Sequence, residues 1–243
     1  MTLRELLTEL RNNLLRDVST AVAGGADGQL WTDDALVLYI RDAEEKFAAG
    51  TLCLRDSTTA AVAQITLVAG QSDYALDRRV LAVQRAQLGS VQLGRASYAA
   101  LSGAVADLQP QSAVNRDAGS GTPRVFYTDR ENNSLGLAPV PTEAATLHLQ
   151  VLRRPLVPLS LNDLDAAPEI PEEYHLDLLE WAAWRALRNH DADLDGDANN
   201  IGIVMARSSA HKKRFEDAVA ECKRRMKYHN TQHVAFGVNA NWS

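Results

Sequence analysis

The chain has 243 residues, with 31 carboxylates against 25 lysines and arginines and a formal net charge of −6. That length suits one large domain or two small ones, each able to bury a core. The acidic balance weighs against a protein whose whole surface binds nucleic acid, and no apolar run approaches the roughly 20 residues of a membrane span.

The first predicted element is a helix, because Leu3, Leu6, Leu7, Leu10 and Leu14 recur at three- and four-residue steps between Arg4, Glu5, Glu9 and Arg11. The small-residue stretch 23–28 breaks it. Trp31-Thr32-Asp33-Asp34 opens a second helix, with Thr32 as cap, the aspartates at the positive dipole end and Trp31 as a staple. Leu36, Ile40, Ala43 and Phe47 form its buried stripe, and Gly50 suits its exit.

The period changes near Arg55. From Val62 to Val151 the chain has short runs rich in β-branched residues between turn residues. Val62 to Val68 and Val80 to Leu88 read as strands, joined by a turn at Gly70-Gln71-Ser72-Asp73, with another turn region from Gly89 to Gly94. Ala96 to Leu108 reads as a short crossing helix. Strands at 124–127 and 134–137 flank a turn at Asn132-Asn133, and Pro139 and Pro141 stop the second. Leu147, Leu149 and Val151 alternate with His148 and Gln150, the period of a half-buried strand.

Prolines 155, 158, 168 and 171 mark an extended return to helix. Pro171-Glu172-Glu173 starts it, and two stripes follow: Leu176, Leu179, Ala183, Leu187, and Tyr174, Leu178, Trp181, Ala182. A helix apolar on two faces packs on both. A last helix, about 201–229, carries Val204, Ser208, His211, Phe215, Ala218, Cys222 and Met226 on one stripe. These elements predict an α+β fold: a helical bundle from residues 1–54 and 168–230, an inserted mainly β domain at 55–160, and an extended C-terminal arm at 231–243.

Asp191-Ala192-Asp193-Leu194-Asp195-Gly196-Asp197 matches the first half of an EF-hand loop, but Gly202 stands where a bidentate glutamate should close the site. An acidic connection whose aspartates cap the next helix is the stronger reading. A calcium-regulated helical interaction module using Asp191 to Asp197 stands as the alternative function. The histidines (148, 175, 190, 211, 229 and 233) form no metal-binding pair spacing, no cysteine pair motif is present, and no metal, cofactor or catalytic constellation is predicted. A hydrolase of unrecognised type is a third possibility, and it calls for a polar pocket with strongly shifted pKa values. Cys53 and Cys222 are too few for a disulfide framework, so a reducing compartment fits, with a single bridge left open. The opening Met1-Thr2-Leu3-Arg4-Glu5 lacks the layout of a signal peptide, which points to a cytoplasm or a particle assembled there.

Between Arg207 and Lys227 there are eight basic residues against three acidic ones, whereas 168–200 has nine acidic against two basic. Charge matching within the chain or with a neighbouring copy is favoured here over DNA contact. In the arm, Val234, Phe236 and Val238 share one face if the segment is extended, and Trp242 follows. An aromatic-bearing arm suggests docking on another chain by strand addition and an aromatic anchor.

Several of these stretches together resemble the head-to-tail connector (adaptor) family of short-tailed bacteriophages. They are Trp31 to Asp34 with Glu44-Glu45; Tyr74-Ala75-Leu76-Asp77; Gly121-Thr122-Pro123 through Tyr127; Leu135 through Pro141; Pro171 through His175 with Trp181 to Arg185; and His211 to Val219. The resemblance spans about residues 30–225. It implies a non-enzymatic virion protein of the neck, forming a homo-oligomeric ring, commonly a dodecamer, between the portal protein and the next tail (nozzle) protein. It further implies that passing DNA is contacted without sequence specificity and that no membrane is involved. On that basis the arm residues Val234, Phe236, Val238 and Trp242 would bind the portal. Lys212, Lys213, Arg214, Arg224 and Arg225 would meet a neighbouring subunit or the DNA channel.

Overall fold

The computed structural model describes residues 1–17, 30–101, 120–190 and 198–235. The chain divides into two compact units, one made of Met1–Leu54 with the chain from Pro155 onward, the other of Arg55–Arg154. Its α+β class is the one predicted.

The first unit is helical. Helix α1 (Leu3–Glu9) starts with a capping box in which Thr2 Oγ1 accepts from the Glu5 N–H at 3.3 Å while Glu5 accepts from the Thr2 N–H at 2.9 Å. It runs on as a π-helical stretch, Leu10–Leu15, closed by Arg16 in the left-handed region. Helix α2 (Asp33–Thr51) is capped by Thr32, whose hydroxyl accepts from the Ala35 N–H at 3.3 Å. Its predicted stripe of Leu36, Ile40, Ala43 and Phe47 is fully buried.

The predicted exit at Gly50 is corrected: α2 continues to Thr51, and Leu52 takes the left-handed cap with φ 57°. A side-chain carbon at Gly50 would lie 3.2 Å from Val219 Cγ1, so this glycine permits close helix approach.

The second unit opens with β1 (Arg55–Asp56), the helical turn α3 (Ala60–Ala63) and β2 (Gln64–Leu67). Val62 and Ala63 are therefore helical, a correction to the strand predicted from Val62. Their burial satisfies an apolar run without a ladder, and periodicity cannot separate the two in so short a segment. Next come β3 (Asp73–Ala75), β4 (Val80–Leu88), β5 (Val91–Gln92), β6 (Gly94–Arg95) and α4 (Tyr98–Leu101). The predicted turn region 89–94 thus contains one short strand, β5, and β3 and β6 begin at the last residue of each turn region, with Gly70 and Gly89 supplying the positive φ angles. Strands β7 (Val125–Tyr127), β8 (Ser134–Ala138) and β9 (Ala145–Arg153) complete the unit, and Asn133 turns between β7 and β8 with φ 54°.

Two sheets result. In the first, β9 is central, pairing antiparallel with β4 on one edge and with both β1 and β2 on the other, and β5 extends β4. The second runs β3-β8-β7-β6, with the β6–β7 pair parallel. Tyr127 lies over Gly136, its cross-strand partner, so closely that any side-chain carbon at Gly136 would collide with the ring at 2.0 Å.

Back in the helical unit, a 3₁₀ turn (Glu172–Tyr174) precedes α5 (His175–His190), and α6 (Ala198–Ala235) closes the described chain. Both stripes predicted on α5 are largely buried, but Leu176 is 54% exposed, a correction to its place on the first stripe. One buried cluster joins α1, α2 and α5 through Leu3, Leu6, Leu36, Ile40, Leu179 and Ala183. Another joins α2, α5 and α6 through Phe47, Tyr174, Leu178, Phe215 and Cys222.

Candidate functional site

Helix α6 presents its predicted stripe inward: Ser208, His211, Phe215, Ala218 and Cys222 are buried, and Val204 and Met226 are half-buried. Its flank is then fixed by α5, which runs antiparallel to it. His211 Nδ1 lies 2.5 Å from Glu180 Oε2, Arg214 donates to the other Glu180 oxygen at 3.5 Å, and Arg225 reaches Glu173 at 3.1 Å and Glu221 at 2.6 Å. Lys212 pairs with Glu216 at 3.6 Å and sits 5.5 Å over the Trp184 ring. Farther along α5, Trp181 Nε1 and Arg185 both donate to Asp42 on α2, at 2.6 and 3.1 Å.

The five basic candidates therefore separate. Lys212, Arg214 and Arg225 have carboxylate partners within the helical unit, which is the charge matching the sequence favours. Lys213 and Arg224 are exposed and have no ion pair among the described residues. Eleven positions apart on one helix, they fall within about 20° of each other and about 16 Å apart along the axis. Lys223 is exposed beside them.

The arm is corrected in part. Helix α6 runs to Ala235, so residues 231–235 are helical, and Val234 does not share an extended face with Phe236. The reason is local: no glycine or proline interrupts the chain between Gly202 and Gly237, and adding a residue to an existing helix costs little once the nucleus exists. Phe236, Val238 and Trp242 lie outside the described residues, as does the Asp191 to Asp197 loop.

No cluster of three metal-ligating side chains occurs among the described residues. His175 is buried, its Nε2 3.0 Å from the Ile170 carbonyl and its Nδ1 3.1 Å from the Met1 amine. A cavity of about 400 Å³ in the β unit is lined by Ser57, Arg85, Gln87, Gln92, His148 and Gln150, among others. Its polar row follows from register, since Gln87 pairs with both Gln92 and His148 across β5, β4 and β9. No carboxylate lines it. A smaller cavity of about 150 Å³ lies against Gly121-Thr122-Pro123 and Pro141 through Ala145.

Two buried polar centres escape periodicity altogether. Arg11, placed between apolar positions by the sequence, donates to Asp17 at 2.7 Å, to Asp33 at 2.6 Å and to the Trp31 carbonyl at 2.8 Å. Glu44 accepts from the Glu169 N–H at 2.6 Å, and Glu169 in turn accepts from the Leu156 N–H at 2.5 Å, tying the proline-rich return segment to α2. Burial pushes the Glu44 carboxyl up to about 7. The Glu169 N–H opposes that shift, and the Glu169 and Glu45 carboxylates add to it. For Arg11 the sequence signal is a charged residue adjoining a buried stripe, and Glu44 also falls in a stretch that carries the adaptor resemblance.

No described helix is long and apolar enough to cross a membrane. No curated protein matches the chain. A family model described as SU10 adaptor protein matches residues 1–235, which takes in both units and nearly the whole of the sequence. The chain belongs to the SU10 adaptor protein family, in agreement with its resemblance to phage head-to-tail adaptors.

Proposed function

We propose that this chain is a structural subunit of a phage neck, assembling as a ring that joins the portal to the next tail protein and continues the DNA channel. The family match over residues 1–235 carries this reading. The geometry of α6 supports it. The helix has 38 residues, about 57 Å at 1.5 Å per residue, and it packs against the core at least as far as Met226. Near its start, Ile203 and Met205 are 67% and 56% exposed, apolar surface suited to a neighbouring copy. Of the five basic candidates, Lys213 and Arg224 are the ones with charge to spare for passing DNA. Phe236, Val238 and Trp242, which follow Ala235 in the sequence, are the portal anchor, and ring symmetry repeats each modest contact in every subunit.

Native mass measurement of the full chain, alone and with portal rings, tests the assembly. A ring on the portal is the expected result, and a chain that stays monomeric under both conditions sinks the reading. Deletion after Ala235 keeps every described residue of α6 and removes the aromatic residues. The truncated chain should fold normally and bind portal more weakly, and unchanged affinity would remove the arm from the proposal.

A further inference from the structure

The two cysteines of the chain, 53 and 222, are brought together in the helical unit. Helices α2 and α6 run in the same direction there, in a regular register. The Phe47 and Phe215 ring centroids are 6.0 Å apart, and Gly50 meets Val219 so closely that an added carbon would stand 3.2 Å from it. Three residues farther along each segment the next pair is Cys53, just past the end of α2, and Cys222 on α6. Leu52, in the left-handed region, turns the chain out of α2 so that Cys53 packs against the cluster containing Cys222. Cys53 and Cys222 are thus neighbours in that cluster, and Thr51 and Tyr174 lie close to them. Cys222 is fully buried and Cys53 half-buried.

We propose that Cys53 and Cys222 form a thiol-to-disulfide site, reduced in a reducing compartment and closing to a bond between the end of α2 and α6 when a disulfide oxidant such as oxidised glutathione is present. The half-buried position of Cys53 makes it the entry point. Its thiolate attacks oxidised glutathione, releasing one glutathione thiolate and leaving a mixed disulfide on Cys53. The Cys222 thiolate then attacks the Cys53 sulfur, forming the internal bond and releasing the second glutathione thiolate. The two protons lost by the cysteines end on the two glutathiones.

Burial pushes both thiols above their ordinary value. The Glu173 carboxylate adds to that shift at Cys222, and the Arg225 guanidinium opposes it. Both cysteines are thiols at neutral pH, so the bond forms slowly there and faster as pH rises.

The test uses the full chain incubated with oxidised glutathione and read by intact mass, thiol titration and thermal unfolding. The expected product has lost two hydrogens, carries no glutathione and has no titratable thiol. Its unfolding midpoint lies several degrees above that of the reduced chain, because the bond closes a long loop in the unfolded state. Cys222→Ser should instead stop at a glutathione adduct on Cys53. Retention of both thiols at alkaline pH, an adduct on the unmodified sequence, or disulfide-linked dimers would each overturn the proposal. None of these outcomes depends on ring assembly, so the proposal stands or fails separately from the adaptor reading.

Discussion

Glu44 in the helical unit and Asp56 in the β unit are both nearly closed off from water, 2% and 8% exposed, yet their carboxyls shift in opposite directions. For each the largest influence is burial, which raises the pKa. Glu44 accepts from one backbone N–H, that of Glu169, and like charges lie nearby at Glu169 and Glu45. Asp56 accepts from the Thr59 and Thr58 N–H groups at 2.9 and 3.0 Å and from Arg153 Nε at 2.8 Å, and together these hold its carboxyl far below the usual carboxylate range. Burial sets the size of the penalty, and the number and charge of the partners set its sign. The β unit has enclosed a charge that is satisfied. The helical unit has enclosed one that is satisfied only when it carries a proton.

The most damaging way to break this contrast is to remove the cation from Asp56. Arg153→Met keeps much of the aliphatic stem and leaves a buried carboxylate facing no positive charge. Urea unfolding should show a loss of about 3–4 kcal/mol, and adding Asp56→Asn should recover part of it. If Arg153→Met is neutral, the pair contributes nothing and the account of Asp56 is wrong. The β unit's reliance on fixed geometry is tested next by Gly136→Ala, which drives a methyl into the Tyr127 ring. A loss of about 3 kcal/mol is expected in the same assay.

Glu44→Gln works in the other direction. The Glu44 carboxyl, raised from 4.5 to about 7, binds its proton more tightly in the folded state. The stability linked to that proton is fully present below pH 4.5 and is lost as pH rises through 7, a swing of about 3 kcal/mol. An amide keeps the acceptor for the Glu169 N–H without the charge, so Glu44→Gln should stabilise the protein at pH 8 by about 2 kcal/mol and do little at pH 4. Hydrogen exchange at the Glu169 amide, followed from pH 5 to 8, reads the same effect locally. Asp56 has the opposite sign: its contribution is present above pH 3.8 and is lost as pH falls below it. The smallest change is Lys213→Gln with Arg224→Gln, expected within about 0.5 kcal/mol in unfolding. In an assembled neck the double variant should weaken the salt-sensitive retention of DNA.

Local chemistry was legible where one residue type decides the outcome. The Thr32 cap, the stripe of α2, both ends of β4, the Asn133 turn and the inward face of α6 were all readable from spacing and side-chain preference. Errors arose where two outcomes satisfy the same pattern. Val62 and Ala63 are buried in a helical turn as well as they would be in a strand. Leu176 fits a stripe by spacing but is 54% exposed on α5. Helix α6 continues past the last residue of its predicted apolar stripe, Met226, because polar residues extend a helix at little cost.

By itself, then, the sequence determined where the long helices and the longest strands lie and which face of most of them is apolar, because these depend on neighbours within a few residues. The tertiary structure decided everything that joins distant positions. It set β1 and β2 along one edge of β9, closed Asp17 and Asp33 around Arg11, and turned Glu44 toward the return segment. It also brought Cys53 beside Cys222 from the far end of the chain. Such pairings depend on which surfaces can be buried together, and that is a property of the whole packed unit that no short window of sequence contains.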